Sequence, residues 1–120
     1  KISEGEILQL NLQNAKRIHE KDYFEIIERK TAELFKASAH SAALLTNAKK
    51  PLIKASSKFA SSLGIAFQLK DDLLDYIGNQ KETGKIIGKD YQEGKLTLPL
   101  IKAFELSNKE DFLFIERAFA

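Results

Sequence analysis

Apolar residues recur every three to four positions along most of the chain, which is the spacing of amphipathic helices. One long helix is predicted from Asp22, whose pairing with Glu25 is typical of a helix start, to about Leu45. Its second half is rich in alanine and serine, so another helix could approach it closely. The chain has no internal repeat and no strand-like alternation. The pattern therefore favours an all-α, antiparallel helical bundle.

Capping patterns place the other helices. Ser3 with Glu6 predicts a first helix that ends near Leu12, and the polar residues 11–21 are interpreted as a linker. Pro51 suits the first turn of a helix, because its missing N–H needs no partner there, and this helix is predicted to end at Ile77. Two shorter helices are predicted to start at Thr97 with Pro99 and at Ser107 with Glu110.

The helix predicted over residues 51–77 has a narrow polar face near its end. Gln68, Asp71, Asp72 and Asp75 fall within an arc of ~100°. The rest of the circumference is mainly apolar, so cations must sit opposite these carboxylates if the helix is buried. Carboxylate oxygens without nearby His or Cys favour Mg²⁺. The alternative interpretation is a solvated acidic surface.

Residues 78–95 follow this helix and show no helical period. They are rich in glycine and lysine, with Lys85 directly after Gly84 and Lys95 directly after Gly94. Loops of this length inside a compact domain are usually functional, and lysine is suited to binding phosphate. The segment is therefore predicted to form a basic lid over the acidic face, around a metal-bridged phosphate ligand.

Composition excludes several classes of function. The 19 basic and 17 acidic residues are mixed along the 120-residue chain, so no nucleic-acid-binding surface is predicted. There is no cysteine, which excludes disulfides and thiolate sites and fits a reducing compartment. No apolar run of about 18 residues predicts a membrane span, so a cytoplasmic protein is expected. There is no methionine either, and we expect Lys1 not to be the natural start.

These motifs together resemble the second half of the trans-isoprenyl diphosphate synthases, the polyprenyl synthetase family. The pattern is G-x-x-F-Q-x-x-D-D-x-x-D, then G-K, then D-x-x-x-G-K-x-T-L-P. Its residues are Gly64, Phe67, Gln68, Asp71, Asp72, Asp75, Gly84, Lys85, Asp90, Gly94, Lys95, Thr97, Leu98 and Pro99. The resemblance extends to Gly5, Glu6 and Gln9 and to the pair Lys30-Thr31, and the opening residues look most like bacterial long-chain, octaprenyl-type synthases.

The resemblance implies a bundle of the isoprenoid synthase type and a prenyltransferase. It would extend an allylic diphosphate with isopentenyl diphosphate, through Mg²⁺-assisted ionisation, and would be a homodimer whose product brings it into contact with a membrane surface. The implied metal ligands are Asp71, Asp72 and Asp75. The implied diphosphate-binding residues are Lys30, Thr31, Gln68, Lys85 and Lys95, of which the first four are also implied to be catalytic.

Family members also have a first aspartate-rich motif and an arginine pair upstream, which these residues lack. Residues 1–120 are therefore expected to be the C-terminal portion of a single polyprenyl synthetase domain and to be inactive alone. Two alternatives stay open: a non-catalytic helical subunit or fragment, and a class I terpene cyclase, whose second metal motif usually mixes Asn, Ser or Thr with acidic residues. His19 and His40 are expected to be structural or surface residues, and Tyr76 and Tyr91 are expected to be packing residues.

Overall fold

The computed structural model describes residues 1–14, 19–78 and 87–119. These residues are helical with short connections, which confirms the all-α prediction. None of the described helices is both long enough and apolar enough to cross a membrane. The elements in chain order are α1 (Ile2–Asn14), α2 (Glu20–Ile27), a π-helical segment (Glu28–Ala32), α3 (Glu33–Leu45), α4 (Lys50–Ile77), α5 (Lys89–Gln92), α6 (Leu98–Leu106) and α7 (Lys109–Phe119).

The single helix predicted from Asp22 to Leu45 differs from the structure in two respects. It begins earlier, at Glu20, because the Asp22 carboxylate reaches back to accept the backbone N–H of His19 at 3.0 Å. It is also interrupted by the π-helical segment, which takes up one residue more per turn than an α-helix. The prediction that residues 11–21 form a linker was too long as well, since α1 continues to Asn14.

Two predicted helix starts are wrong. Ser3 lies inside α1, which begins at Ile2, so it caps nothing. Before α7 the cap is Asn108, whose Oδ1 accepts the backbone N–H groups of Glu110 and Asp111 at 2.9 Å each. The Ser107 hydroxyl instead donates to the Phe104 carbonyl, which belongs to the preceding helix. Neighbouring side chains compete to accept the free N–H groups at the start of a helix, and at α7 the side chain of Asn108 accepts them instead of Ser107.

The buried core lies where α2, α4 and α6 meet. Its residues are Tyr23, Ile27, Leu96, Leu100 and Ile101. Tyr76 and Tyr91 pack against this cluster, which confirms the packing roles expected for them. The core therefore sits directly beneath the end of α4 that carries the aspartates.

Helices α3 and α4 form an antiparallel hairpin joined by residues 46–49. A close contact lies at Gly64, where an added Cβ atom would be 2.7 Å from the Cα of Ala32 in the π-helical segment and 3.2 Å from the Phe35 ring of α3. Only glycine permits this spacing, so Gly64 sets how near α4 comes to the π-helical segment.

The rest of α4 presents large apolar side chains to solvent. Phe59 is 69% exposed, Phe67 is 56% exposed and Ile77 is 70% exposed. Leu52 and Leu63 belong to the same helix face, because the five residues follow one another at intervals of seven, four, four and ten positions. An exposed apolar stripe of this length marks a surface that another element normally covers.

Candidate diphosphate and metal site

A cleft of about 130 Å³ opens above the core, between α4 and the helices on either side of it. Most of the residues predicted to form the site line it, from both sides. The lining residues are Gln9, Tyr23, Ile26, Ile27, Lys30, Thr31, Gln68, Asp71, Asp72, Asp90, Lys95, Leu96 and Thr97. We call this the acidic cleft. The structure thus brings Lys30, Thr31 and Lys95 together with the polar face of α4.

A chain of hydrogen bonds crosses the acidic cleft. The Thr31 hydroxyl, on the π-helical segment, donates to Gln68 Oε1 at 2.7 Å. The other end of the same amide, Gln68 Nε2, donates to Asp72 Oδ1 at 2.8 Å. Tyr23 on α2 donates its hydroxyl to Asp72 Oδ2 at 2.5 Å. The polar face of α4 is therefore tied at two points to the helix opposite.

Asp72 is the buried member of the acidic face, with 4% of its surface exposed. Burial raises the pKa of Asp72, and the nearby carboxylates of Asp90 and Asp71 raise it further, against the hydrogen bonds from Tyr23 and Gln68. Burial also raises the pKa of Tyr23, which keeps its hydroxyl a donor. Both oxygens of Asp72 have a donor, so the orientation of this carboxylate is fixed.

Asp75, another predicted metal ligand, connects α4 to the segment that follows it. Its two carboxylate oxygens accept the backbone N–H groups of Lys89 and Asp90 at 3.2 and 3.0 Å. Its carbonyl accepts the N–H of Gly88, which has a φ of 76° and so suits glycine. Asp75 therefore caps α5, a short helix inside the segment that was predicted to lack helical structure.

Lys95 holds the end of the same segment. Its ammonium lies 2.6 Å from Glu93 Oε2 and 3.0 Å from Asp90 Oδ1. These two hydrogen bonds, the one to Glu93 first, raise the pKa of Lys95. An ammonium has three N–H donors, so one donor is left over from these two contacts. The predicted diphosphate contact of Lys95 would use that donor or replace one of its present partners.

Lys30 is held from the opposite side by α1. Its ammonium lies 2.9 Å from Glu6 Oε1 and donates to Gln9 Oε1, also at 2.9 Å. Gly5 brings α1 close, since a Cβ there would be 2.9 Å from the backbone nitrogen of Lys30. Gly5, Glu6 and Gln9 therefore hold Lys30 in position.

The donor atoms of the acidic cleft suit a hard cation held jointly with a ligand. Within residues 1–14, 19–78 and 87–119, no three His, Cys, Asp or Glu side chains are arranged to enclose a metal ion by themselves. Mg²⁺ commonly uses one or two protein carboxylates and takes its remaining ligands from water and phosphate. Asp71, which lines the acidic cleft one turn after Gln68, fits that open arrangement. Asp75, one turn further along α4, does not line the cleft, and its carboxylate accepts the amides at the start of α5. Lys85 lies outside the described residues.

Two participants were missed by the sequence analysis: Tyr23, and the side chain of Asp90 as the partner of Lys95. Tyr23 lies one turn before Ile27 and two turns before Lys30, so the helical period alone would have placed it on the site face. Asp90 gave no such signal, because its role depends on how the chain turns after Ile77. His19 and His40 do not line the acidic cleft, in keeping with the structural or surface roles expected for them.

Comparison with known proteins gives a consistent result. The family described as polyprenyl synthetase matches residues 1–119. The chain is 41% identical to the octaprenyl diphosphate synthase of Escherichia coli and 38% identical to the geranylgeranyl diphosphate synthase of Sulfolobus acidocaldarius, each over 117 residues. These alignments cover 98% of this chain and 36% of each relative. The chain thus spans about a third of the length of these relatives.

A solved structure shows the same fold. The polyprenyl synthase of Caulobacter crescentus, complexed with calcium and isoprenyl diphosphate, superposes with a TM-score of 0.82 at 34% identity. The match covers 98% of this chain and 41% of that one. With a helical bundle, an acidic face opposed by lysines, and a family match over nearly all its residues, the chain belongs to the polyprenyl synthetase family.

Proposed function

We propose that this chain forms the C-terminal portion of a polyprenyl synthetase domain and supplies one wall of its active site. The enzyme would extend an allylic diphosphate with isopentenyl diphosphate to give a polyprenyl diphosphate. The observation that carries the proposal is the acidic cleft, in which the aspartate face of α4 lies opposite Lys30, Thr31 and Lys95. The family match and the calcium and isoprenyl diphosphate bound by the Caulobacter crescentus relative support it.

Asp71 and Asp75 would hold Mg²⁺, which when bound neutralises the charge of a departing diphosphate. Asp72 would act by position: it is buried, and its hydrogen bonds fix the α4 face from which Asp71 projects. Thr31 and Gln68 complete that connection and form the polar wall beside the reacting group.

Lys30 and Lys95 would each use a remaining N–H to hold a diphosphate oxygen, and Lys85 is proposed for the same role. Lysine is suited to this work as a compact charge that needs no fixed planar geometry. Ile26, Ile27 and Leu96 line the other side of the acidic cleft and would keep water from the allylic cation. Among the described residues that line the cleft, no nucleophile is paired with a base, so the groups present favour electrostatic stabilisation of ionisation.

The exposed apolar stripe on α4 supports the proposal that residues 1–120 are part of a larger bundle. Phe59, Leu63 and Phe67 are each about half exposed or more, although they lie on the longest helix of the fold. The upstream segment that the proposal requires would cover this stripe. A cytoplasmic homodimer is part of the same proposal, and analytical ultracentrifugation of the complete protein would test its oligomeric state.

Prenyl transfer itself is the direct test. Here "complete protein" means this chain together with the upstream segment that the proposal requires. We expect it to incorporate labelled isopentenyl diphosphate into longer prenyl products when given an allylic diphosphate and Mg²⁺, and we expect residues 1–120 alone to form none. Vigorous synthesis by residues 1–120 alone would contradict the proposed division of the site. Cyclic hydrocarbon products would favour the terpene cyclase alternative instead.

A further inference from the structure

Positive charge is concentrated in one continuous stretch of the chain. Residues 34–70 contain six lysines and no aspartate or glutamate, for a net charge of +6 with His40 neutral. The whole chain has a net charge of +2, so the remaining residues, with 13 basic and 17 acidic side chains, carry −4. This stretch forms most of the α3–α4 hairpin. We call it the basic hairpin.

An open groove of about 680 Å³ runs along the basic hairpin. It shares no lining residue with the acidic cleft. Lys50, Lys54 and Lys58 follow one another at successive turns of α4 on one side, and Lys36 and His40 of α3 lie on the other. By the rise of α4, the three lysines of that helix extend over ~12 Å.

The lysines of α4 in this groove have no charge partner among the residues that the structure describes. Lys50, Lys54 and Lys58 form no ion pair or hydrogen bond with the part of the chain that the structure describes, whereas Lys36 pairs with Glu33 at 3.0 Å. Of the polar groups that line the groove, Ser57 and His40 are already paired, since the Ser57 hydroxyl lies 3.1 Å from His40 Nδ1 and 2.8 Å from a main-chain carbonyl. No convergent set of donors is built for a single small anion. The charge is spread, as suits an extended anionic surface.

Apolar side chains flank this charge at the tip of the hairpin. Leu44 lines the groove and is 52% exposed, and the next residue, Leu45, is 84% exposed. Lys49 is the last residue of the turn and Lys50 is the first residue of α4, so these leucines lie beside two lysines. Leucines among lysines at an exposed turn are the composition of segments that lie at a membrane interface.

We infer that the basic hairpin docks on a membrane surface that contains anionic lipids, with the turn at residues 46–49 at the level of the headgroups. The spread lysines match a sheet of negative headgroups, and the exposed leucines explain why a bilayer fits better than an acidic protein. By the helix rise, Lys50 lies ~30 Å along α4 from Asp71. Docking at the tip would therefore leave the acidic cleft away from the bilayer.

Vesicle co-sedimentation of the complete protein tests this inference. We expect binding to vesicles of phosphatidylcholine mixed with phosphatidylglycerol, little binding to phosphatidylcholine alone, and release by high salt. The double variant Lys54→Gln/Lys58→Gln should bind the mixed vesicles more weakly by about 25-fold, since each lysine near such a surface contributes about fivefold. The matched control Lys21→Gln/Lys109→Gln removes the same net charge from exposed positions outside the basic hairpin and should bind normally.

Leu45→Ser provides a second measurement. It leaves every charge in place and should weaken binding to the mixed vesicles if the tip enters the interface. Unchanged vesicle binding by the lysine double variant, an equal loss in its control, or binding to polyglutamate in preference to vesicles would each overturn the inference. Prenyl transfer measured without vesicles should be the same for the double variant and its control, so the test is independent of the proposed activity.

Discussion

The two ends of α4 carry opposite charges, and they differ in how far the fold supplies partners for those charges. In the acidic cleft and directly beside it, the carboxylates of Asp72 and Asp75 each accept two hydrogen bonds, and Asp90 is paired with Lys95. In the basic hairpin, the lysines of α4 have no such partner among the described residues. Charges held by partners have fixed positions, which chemistry requires. Charges without partners act through their summed field, which suits association with a surface.

Of the substitutions that test this contrast, the one at Asp71 is expected to have the largest effect. Asp71→Ala in the complete protein removes a proposed metal ligand and should lower turnover about a hundredfold or more, the scale of losing one strong electrostatic contact to the reacting charge. Isopentenyl incorporation measures the loss, and circular dichroism should show that α4 remains helical. The control Glu116→Ala removes one carboxylate from the exposed side of α7. Near-normal turnover in Asp71→Ala would sink the metal-ligand assignment.

Gly64 joins the two halves of α4, and its substitution should affect both. In Gly64→Ala the new methyl group would lie 2.7 Å from the Ala32 Cα, so the backbone must shift. We expect the free energy of unfolding to fall by about 1–3 kcal/mol, despite the better helix propensity of alanine. Urea denaturation measures the change, with Ser62→Ala, at an exposed position half a turn earlier, as the control. A gain in stability would show that the helices can separate without cost.

Tyr23→Phe tests whether hydrogen-bond partners hold the buried carboxylate of the acidic cleft in place. The change leaves one oxygen of buried Asp72 without its donor, so near neutral pH the free energy of unfolding should fall by about 1–3 kcal/mol.

Burial raises the pKa of Asp72 above its ordinary 3.8, so the folded state binds this proton more tightly than the unfolded state. The contribution of Asp72 to stability is therefore most favourable below pH 3.8 and declines as pH rises through the folded pKa.

Because the Tyr23 hydrogen bond lowers the pKa of Asp72, its removal should extend that decline to higher pH. Urea denaturation of the metal-free protein at a series of pH values would show this. Asp72→Asn should abolish this pH dependence and make the Tyr23 substitution independent of pH. If Tyr23→Phe lowered stability equally at every pH in both backgrounds, the tyrosine would act through packing alone.

The smallest effect is expected in the basic hairpin. Lys58→Gln removes a charge that has no partner in the described structure, so the free energy of unfolding should change by no more than about 0.5 kcal/mol. Thermal or urea denaturation is sufficient to measure it. A loss as large as that of Tyr23→Phe would show that Lys58 is bound within the protein after all, and the contrast between the two ends of α4 would fail.

The sequence predicted those features that depend on a single helical period. Gln68, Asp71 and Asp72 were placed on one face because 100° steps require it, and the acidic cleft shows that face turned toward Lys30. The long helices were likewise predicted within a few residues of their observed ends. The sequence did not show which side chain accepts each free backbone N–H at a helix start. Asp22 and Asn108 accept such groups, and neighbouring side chains were equally plausible acceptors from the sequence.

Features that join distant parts of the chain also escaped prediction. The bonds from Asp75 to the N-terminus of α5 exist only because the chain reverses after Ile77, and no local pattern specifies that reversal. The Tyr23–Asp72 bond spans 49 positions, and either residue alone suits an ordinary helix. The π-helical segment contains no glycine or proline to indicate a break in the α-helix.

That segment has a consequence for insertions and deletions. A π turn contains one residue more than an α turn, so deleting one residue between Glu28 and Ala32 would leave an unbroken α-helix rather than a broken one. Because the wide turn and the α turn that replaces it each complete about one revolution, the faces on either side of the deletion would keep nearly the same phase. A deletion within regular α-helix, such as α3, would instead rotate everything on one side of it by ~100°. The segment thus takes up one residue without changing which faces point toward α4. A single deletion should therefore be tolerated better inside this segment than inside α3, an order that a scan of single deletions along both would reveal.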